Sequence, residues 1–279
     1  MELHAVRIAV EGHVATVWLH RPHRHNAWTG RMHREYRSVL AELDADPSVR
    51  VVVVTGTPPA FCVGGDSEAL AGHADRGAYD SGLGDDSGLG ETLATPGYGV
   101  RPEFDADFAF QFAMRFPIIA AVNGAAAGVG LALALFCDLR FGAVDAKLTT
   151  AAPKLGLPAE YGMSWQLPRL VGATRAADLL LSGRVFTPAT TAEWGLWNGV
   201  EVDGESTLAA AHRYAHHLAT GVGPNALRTT KAQLYADLLH HSPARAIEDA
   251  QRLLEAAMTT EEYREGVAAL REKRPPSFG

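Results

Sequence analysis

Two glycine-containing turns hold the residues best suited to chemistry. The first is Phe61-Cys62-Val63-Gly64-Gly65-Asp66 and the second is Asn123-Gly124-Ala125-Ala126-Ala127-Gly128-Val129-Gly130. Each follows a run of mostly apolar residues rich in β-branched side chains, residues 49–55 in the first case and 118–122 in the second. Glycine has no Cβ, so backbone N–H groups in such turns face outward with nothing in front of them. The second turn also leads into a small-residue segment with helical character, and a helix start favours negative charge through its unpaired N–H groups and its dipole. Two N–H groups converging from two turns form an oxyanion hole, which stabilises charge developing on a carbonyl oxygen. On local physics alone, two ordinary strand-to-helix turns with glycine for tight packing explain the same residues.

Other chemistries find less support. Gly128 and Gly130 do not complete a dinucleotide fingerprint, because Leu133 stands where the third glycine belongs. No Gly-x-Ser-x-Gly occurs, so a serine-hydrolase elbow is missing. Of twelve histidines, His20, His23, His25 and His33 lack a cysteine or carboxylate at ligand spacing. His216-His217 and His240-His241 are adjacent pairs whose side chains diverge on a helix. All of these read as surface histidines, and no metal is expected. Cys62 and Cys137, the only cysteines, read as small buried residues. Two thiols do not build a disulfide framework, which fits a reducing cytoplasm.

The elements that position the turns follow from periodicity. Val6, Ile8 and Val10 alternate, as do Ala15, Val17 and Leu19, with Glu11-Gly12 between: a hairpin. Met32, Tyr36, Val39, Leu40 and Leu43 share one helical face, and Pro47 ends that helix. Strands follow over 49–55, 118–122 and 139–143, with a helix over about 128–136. Alternating strands and helices imply α/β with crossovers. After residue 205 the strands stop. Leu208, Ala211, Ala215 and Leu218 form one helical stripe, and Leu227, Lys231, Leu234 and Leu238 a second. Ser242-Pro243 opens a third helix, and Thr259-Thr260-Glu261-Glu262 reads as a capping box opening a fourth. The chain divides into a core over 1–204 and a helical subdomain over 205–279. Between them in character stands 72–106, glycine-, aspartate- and serine-rich, which reads as a mobile lid.

Composition narrows the partners. A net charge of −7 argues against nucleic acid as a general partner. The basic clusters at 21–24 and 271–274 either bind phosphate locally or are solvated surface. No stretch reaches the roughly 18 apolar residues that span a membrane.

Several ordered segments together resemble the enoyl-CoA hydratase/isomerase (crotonase) superfamily. They are Leu19-His20-Arg21-Pro22-His23-Arg24-His25-Asn26-Ala27, both glycine turns, residues 117–138 without a gap, Leu167-Pro168-Arg169-Leu170-Val171-Gly172, residues 179–184, and the tail Glu265-Gly266 with Glu272-Lys273-Arg274-Pro275. The resemblance covers nearly the whole chain except 72–106. It implies an α/β spiral of ββα units with a C-terminal helical trimerisation subdomain, and a homotrimer or dimer of trimers. It implies that Gly65 and Val129 donate the oxyanion N–H groups, and that Arg24, His25, Ala27, Val63 and Asp66 surround coenzyme A. Lys273 is implied to reach the nucleotide phosphates, including those of a neighbouring subunit. Coenzyme A enters as part of the thioester substrate, and no separate cofactor is implied.

The departures are informative. The two glutamates of the family's hydratases fall at Ala132 and Ala152 here. Alanine transfers no proton, so two-carboxylate water addition is not available in its usual form. In the gapless register of Gly156-Leu157-Pro158-Ala159-Glu160-Tyr161-Gly162, Glu160 falls where some isomerase-like and dehalogenase-like relatives carry a functional aspartate. The bland alternative is a first-turn carboxylate placed for a helix dipole. Tyr161 and Trp165 either wall the acyl pocket or pack in the core. Enolate-forming chemistry with isomerase-type proton transfer by Glu160 leads, an atypical hydratase follows, and the rival of another class is a non-catalytic acyl-CoA-binding scaffold.

Overall fold

The computed structural model describes residues 2–67, 100–239 and 242–278. Of the expected lid, only residues 100–106 lie within that range; His240-His241 lie outside it. The chain begins with an antiparallel hairpin, β1 (Val6–Glu11) and β2 (Val14–Leu19), turning at Gly12 with φ +59°. β1 buries only Val6, as an edge strand does. Helix α1 (Gly30–Ala45) follows, its N-terminus capped by the Thr29 side chain, which accepts from the Met32 N–H. Glu35, buried on α1, accepts N–H bonds from His4, Ala5 and Val6 and so ties the N-terminus to the helix.

β3 (Val51–Gly56) and β4 (Ile118–Val122) bury every residue. With β6 (Leu139–Ala143) and β8 (Gly199–Glu201) they complete a six-stranded sheet of order β1-β2-β3-β4-β6-β8, parallel after the first pair. Side-chain alternation gives the sheet two faces. Val52, Val54, Ile118 and Ala120 join the larger core cluster with α1 residues Met32, Tyr36 and Leu40. Val51, Val53, Ile119 and Ala121 meet Ala210, Ala211, Ala215 and Ala219 of α6 (Gly204–Gly221). Each such valine or isoleucine contributes about 1.5–3 kcal/mol by leaving water. A second layer holds β5 (Ala126–Ala127) and β7 (Leu148–Thr149) in parallel. Around it lie α2 (Val129–Leu135), α3 (Met163–Val171), α4 (Ala173–Ser182) and the short α5 (Pro188–Thr191). The chain ends in α7 (Pro224–Asp237), α8 (Pro243–Ala257) and α9 (Glu261–Glu272).

The helices after residue 205 differ among themselves. The first stripe packs on the sheet as its spacing predicts. The second does not behave as an apolar stripe: Leu234 and Leu238 are exposed and Lys231 is buried. The Lys231 ammonium donates to Gln111 O, Phe116 O and the Asp138 carboxylate at 2.7–2.8 Å, which satisfies all three of its protons. The expected capping box is also different. Thr260, not Thr259, caps α9 by accepting from the Tyr263 N–H. Glu262 is released to accept from the Asn225 and Ala226 N–H groups at the start of α7, where the helix dipole favours a carboxylate.

Removing one partner of a buried ion pair leaves the other charge uncompensated. Lys231→Met should therefore lower unfolding free energy by about 3–5 kcal/mol, read as an earlier urea midpoint. Adding Asp138→Asn to that variant should recover part of the loss; equal midpoints for wild type and Lys231→Met would show that the pair does not hold α7 to the core.

Candidate active site

β3 and β4 are parallel neighbours, with Val54 opposite Ala120, so the glycine turns that follow them leave the sheet side by side. Backbone bonds then clasp the turns together. The Phe61 and Cys62 N–H groups both donate to Ala125 O at 3.1 Å, and the Ala127 N–H donates to Cys62 O at 3.0 Å. Cys62 and Ala126 form a parallel bridge. Beyond this bridge the two turns run on through Gly64 and Gly128, both at positive φ, to Gly65 and Val129. Glycine is required for this approach: a Cβ on Gly130 would stand 2.2 Å from Cys62 O. Gly64, at φ +106°, reverses the chain just before Gly65.

The two N–H groups are left over by the same bonding. The Trp28 N–H donates to Gly64 O at 2.8 Å and Trp28 O accepts from the Asp66 N–H at 3.0 Å, across a parallel bridge between Trp28 and Gly65. In that pattern the N–H of Gly65 itself points away from Trp28. Gly128 donates to Thr149 O, and Val129 is the first residue of α2, where helical partners are lacking. Among the described residues, neither the Gly65 nor the Val129 N–H has an acceptor. Two such donors, if they converge, can hold a carbonyl oxygen as it becomes negative.

Glu160 sits in the turn before α3. Tyr161 and Gly162 are both left-handed, at φ +50° and +69°, and the Met163 N–H donates to Glu160 O at 3.0 Å. A Cβ on Gly162 would stand 3.1 Å from the ring of Phe136, the residue that caps the end of α2. The turn therefore rests on the helix that Val129 begins. Rings connect it to the other turn as well: Tyr161 is edge-on to Phe108 at 5.7 Å, and Phe108 is edge-on to Trp28 at 5.5 Å. Glu160 is half-buried, and desolvation raises its pKa above the ordinary carboxylate value. Among the described residues no cation forms an ion pair with it. Ala132 and Ala152 are fully buried and offer no functional group. Trp165 is half-buried with the Arg169 guanidinium stacked on its ring at 3.8 Å.

The residues expected at the nucleotide gather at one place, with one exception. Arg21 and Arg24 each donate to the buried Asp66 carboxylate at 3.0 Å. The Val63 N–H meets His25 O at 3.4 Å, and the Ala27 carbonyl accepts from Arg21 at 2.7 Å. Sequence reading passed over the brace of this cluster, Asn26. Its side chain accepts from the Arg21 N–H and donates to Thr57 O and Ala60 O, while both His25 and Asn26 adopt positive φ. An asparagine at a left-handed position was the available signal. Lys273 stands elsewhere, exposed at the left-handed C-cap of α9. His33 also departs from expectation. It is not a surface histidine but 1% exposed, between Trp28 and Phe108, and burial lowers its pKa to about 3. Two γ-turns also escaped sequence reading: Phe108 (φ +59°) with Ala109 N–H to Asp107 O, and Ala151 (φ +63°) with Ala152 N–H to Thr150 O, both at 2.7 Å.

Comparison with known proteins identifies the family. The enoyl-CoA hydratase/isomerase family model matches residues 9–279. The chain belongs to that family, the crotonase superfamily. It is 33% identical over 279 residues to the 1,2-epoxyphenylacetyl-CoA isomerase of Escherichia coli (strain K12), covering 96% of each chain. It is 32% identical to a mevalonyl-coenzyme A hydratase of Beauveria bassiana (strain ARSEF 2860), covering 95% of this chain and 90% of that one. The crystal structure of an enoyl-CoA hydratase from Bacillus anthracis superposes with a TM-score of 0.84 at 26% identity, covering 99% of both chains. The chain is therefore a crotonase-family acyl-CoA enzyme, hydratase or isomerase, with the family's α/β fold, mixed sheets and C-terminal helices.

Within this family site the thiols stand aside. Cys62 is fully buried behind the first turn, and burial pushes its thiol up to about 12; Cys137 is raised as well, again by burial. Neither supplies a thiolate nucleophile near neutral pH. Among the described residues no cluster of histidine, cysteine and carboxylate has metal-binding form, and no helix is long and apolar enough to cross a membrane. Native protein at pH 8 should give no fast reaction with a disulfide reagent, whereas two equivalents should react in denaturant; a rapidly titrating native thiol would contradict the burial of both.

Proposed function

We propose that this chain binds an acyl-CoA thioester, stabilises its enolate between the Gly65 and Val129 N–H groups, and moves the proton with Glu160 in an isomerase-type reaction. The observation that carries this reading is the combination of two N–H groups, on turns clasped together and without an acceptor among the described residues, with a half-buried carboxylate whose pKa burial raises. Stabilising the enolate acidifies the substrate's α-proton, so one modest base suffices. Isomerisation needs a proton removed from one carbon and returned to another. Water addition needs a further group to hold and activate water, and Ala132 and Ala152 hold none. The relatives include both an isomerase and a hydratase, so overall similarity does not choose between them.

Arg24, His25, Ala27, Val63 and Asp66 are proposed to surround coenzyme A. Asp66, buried and bound by two arginines, orients that surface rather than touching the anion. Lys273 is proposed to serve the nucleotide of a neighbouring subunit in a homotrimer or dimer of trimers. That assembly is supported by α8, which buries none of its residues within the chain, and by exposed Ile247, Leu254, Met258 and Leu270. A reducing compartment such as the cytoplasm suits the two free thiols.

Glu160→Gln should lower turnover by about 10²–10⁴-fold while thioester binding survives, as for loss of a general acid–base group. A base works only when ionised, so the rate should fall as pH drops through Glu160's raised pKa. That fall should lie above the range of an exposed carboxylate and vanish from the residual rate of the variant. Wild-type turnover in Glu160→Gln would refute the assignment. In sedimentation at micromolar concentration the protein should run as a trimer or larger, and a species of one chain's mass would refute the assembly.

A further inference from the structure

The Glu160 turn is joined to each glycine turn by a separate route. On one side, a Cβ at Gly162 would stand 3.1 Å from the Phe136 ring, and Phe136 ends the helix that Val129 begins. On the other side, the route to Gly65 runs through rings. The Trp28 N–H donates to Gly64 O at 2.8 Å and Trp28 O accepts from the Asp66 N–H at 3.0 Å, so Trp28 holds the backbone on both sides of Gly65. The Phe108 ring lies edge-on to Trp28 at 5.5 Å and to Tyr161 at 5.7 Å. Tyr161 follows Glu160 directly, and the Met163 N–H bonded to Glu160 O closes the turn around it.

This link has little room to shift. Trp28 is also edge-on to Tyr36 at 5.9 Å, and the His33 ring is edge-on to Trp28 and Phe108 at 5.9 and 6.2 Å. Trp28, His33, Tyr36 and Phe108 are all buried, and close-packed interiors transmit a displacement instead of absorbing it. Phe108 is held at φ +59°, ψ −30°, and Tyr161, its partner, at φ +50°. Bulky residues at positive φ cost conformational energy, and that cost persists where the surroundings over-determine the backbone. Glycine takes the same φ freely. What phenylalanine supplies at position 108, and glycine would not, is the ring.

We propose that Phe108 is a positioning residue: acting through Tyr161 and Trp28, it fixes the spacing between Glu160 and the Gly65 turn. This rests on the reading of Glu160 as the base and deepens it. The base must reach the α-carbon while the thioester oxygen stays at the N–H groups, so the spacing between the two turns sets the rate of proton removal. A misplacement of about 1 Å costs about 10²-fold in rate. Loosening the ring contact also admits water to Glu160, whose half-buried setting raises its pKa by desolvation.

A double-mutant cycle with Phe108→Leu, Tyr161→Leu and the double variant tests this, with urea unfolding to show that each is folded. Exchange of the α-protons of butanoyl-CoA in D2O reads proton removal. Phe108→Leu should lower the saturating exchange rate by about 10²-fold with KM little changed. Glu160 works as a base only when ionised, so the fall in rate at low pH should move lower, toward the range of an exposed carboxylate. Tyr161→Leu should do the same. Tyr161 is half-buried, so this variant reads the link even where Phe108→Leu does not fold. The double variant should be little slower than the slower single one, because one contact is lost only once. If the rings serve packing alone, the urea midpoint falls while the rate per folded molecule and its pH dependence stay at wild type. That result, or additive losses from the two single changes, would overturn the assignment. Glu160→Gln, run alongside, should lose exchange. If it keeps exchange, the base assignment fails and the role of Phe108 with it. If it loses exchange while Phe108→Leu keeps the wild-type rate and pH profile, only the role of Phe108 fails.

Discussion

The clasp between the two glycine turns is the constraint on which the site depends. Three backbone bonds, from Phe61, Cys62 and Ala127, fix the first turn to the second. They follow from sheet topology, because β3 and β4 are adjacent and parallel. The clasp carries Gly65 and Val129 with it, and among the described residues their N–H groups have no acceptor. The closeness of the clasp also explains the small residues around it. Gly130 lies under Cys62 O, where a methyl group would meet an acceptor that cannot move without breaking the bond to Ala127. Preorganised donors of this kind act without reorganisation when charge develops.

The helix behind the clasp needs help. α2 has seven residues, too few to be stable on its own. Its C-terminal carbonyls are satisfied from outside by buried polar side chains. Gln111 donates to Leu133 O, Gln166 donates to Leu135 O, and Arg140 donates to Leu135 O and Cys137 O. Gln111 is held in turn by the Tyr36 hydroxyl, and its carbonyl accepts from Lys231. Positions on α1, α7 and the segment before β4 thus converge on the end of α2, while the Val129 N–H at its beginning has no acceptor among the described residues. The bonds to charged donors contribute about 1.5–3 kcal/mol each, and an orphaned carbonyl there would cost a similar amount.

Much of this was legible in sequence where the pattern is local. β-branched runs gave the central strands, alternation gave the hairpin, and glycine spacing gave both turns. Asn26 and Glu262 were not legible as braces, because their partners lie at Thr57, Ala60, Asn225 and Ala226, chosen by tertiary approach. Lys231 read as part of an apolar stripe because helical spacing cannot say that a buried carboxylate and two carbonyls await it. His33 was misread for a related reason: its environment is built by Trp28 and by Phe108, the latter far along the chain. The γ-turn at Phe108 has no sequence signature, since a phenylalanine there runs against backbone preference.

The alanines at the two places where the resemblance implies hydratase glutamates are tied to this packing. Ala132 is fully buried on α2, and its N–H closes the first helical turn onto Gly128 O. Ala152 is fully buried beside the strained Ala151, inside a 3-10 turn. A glutamate at either position would have to displace neighbours and bring an ionisable group into a closely packed space. The cost of burying an unpaired charge is several kcal/mol, larger than the gain from one hydrogen bond. This packing around Ala132 and Ala152 supports the proposal that the chemistry works from the Glu160 turn.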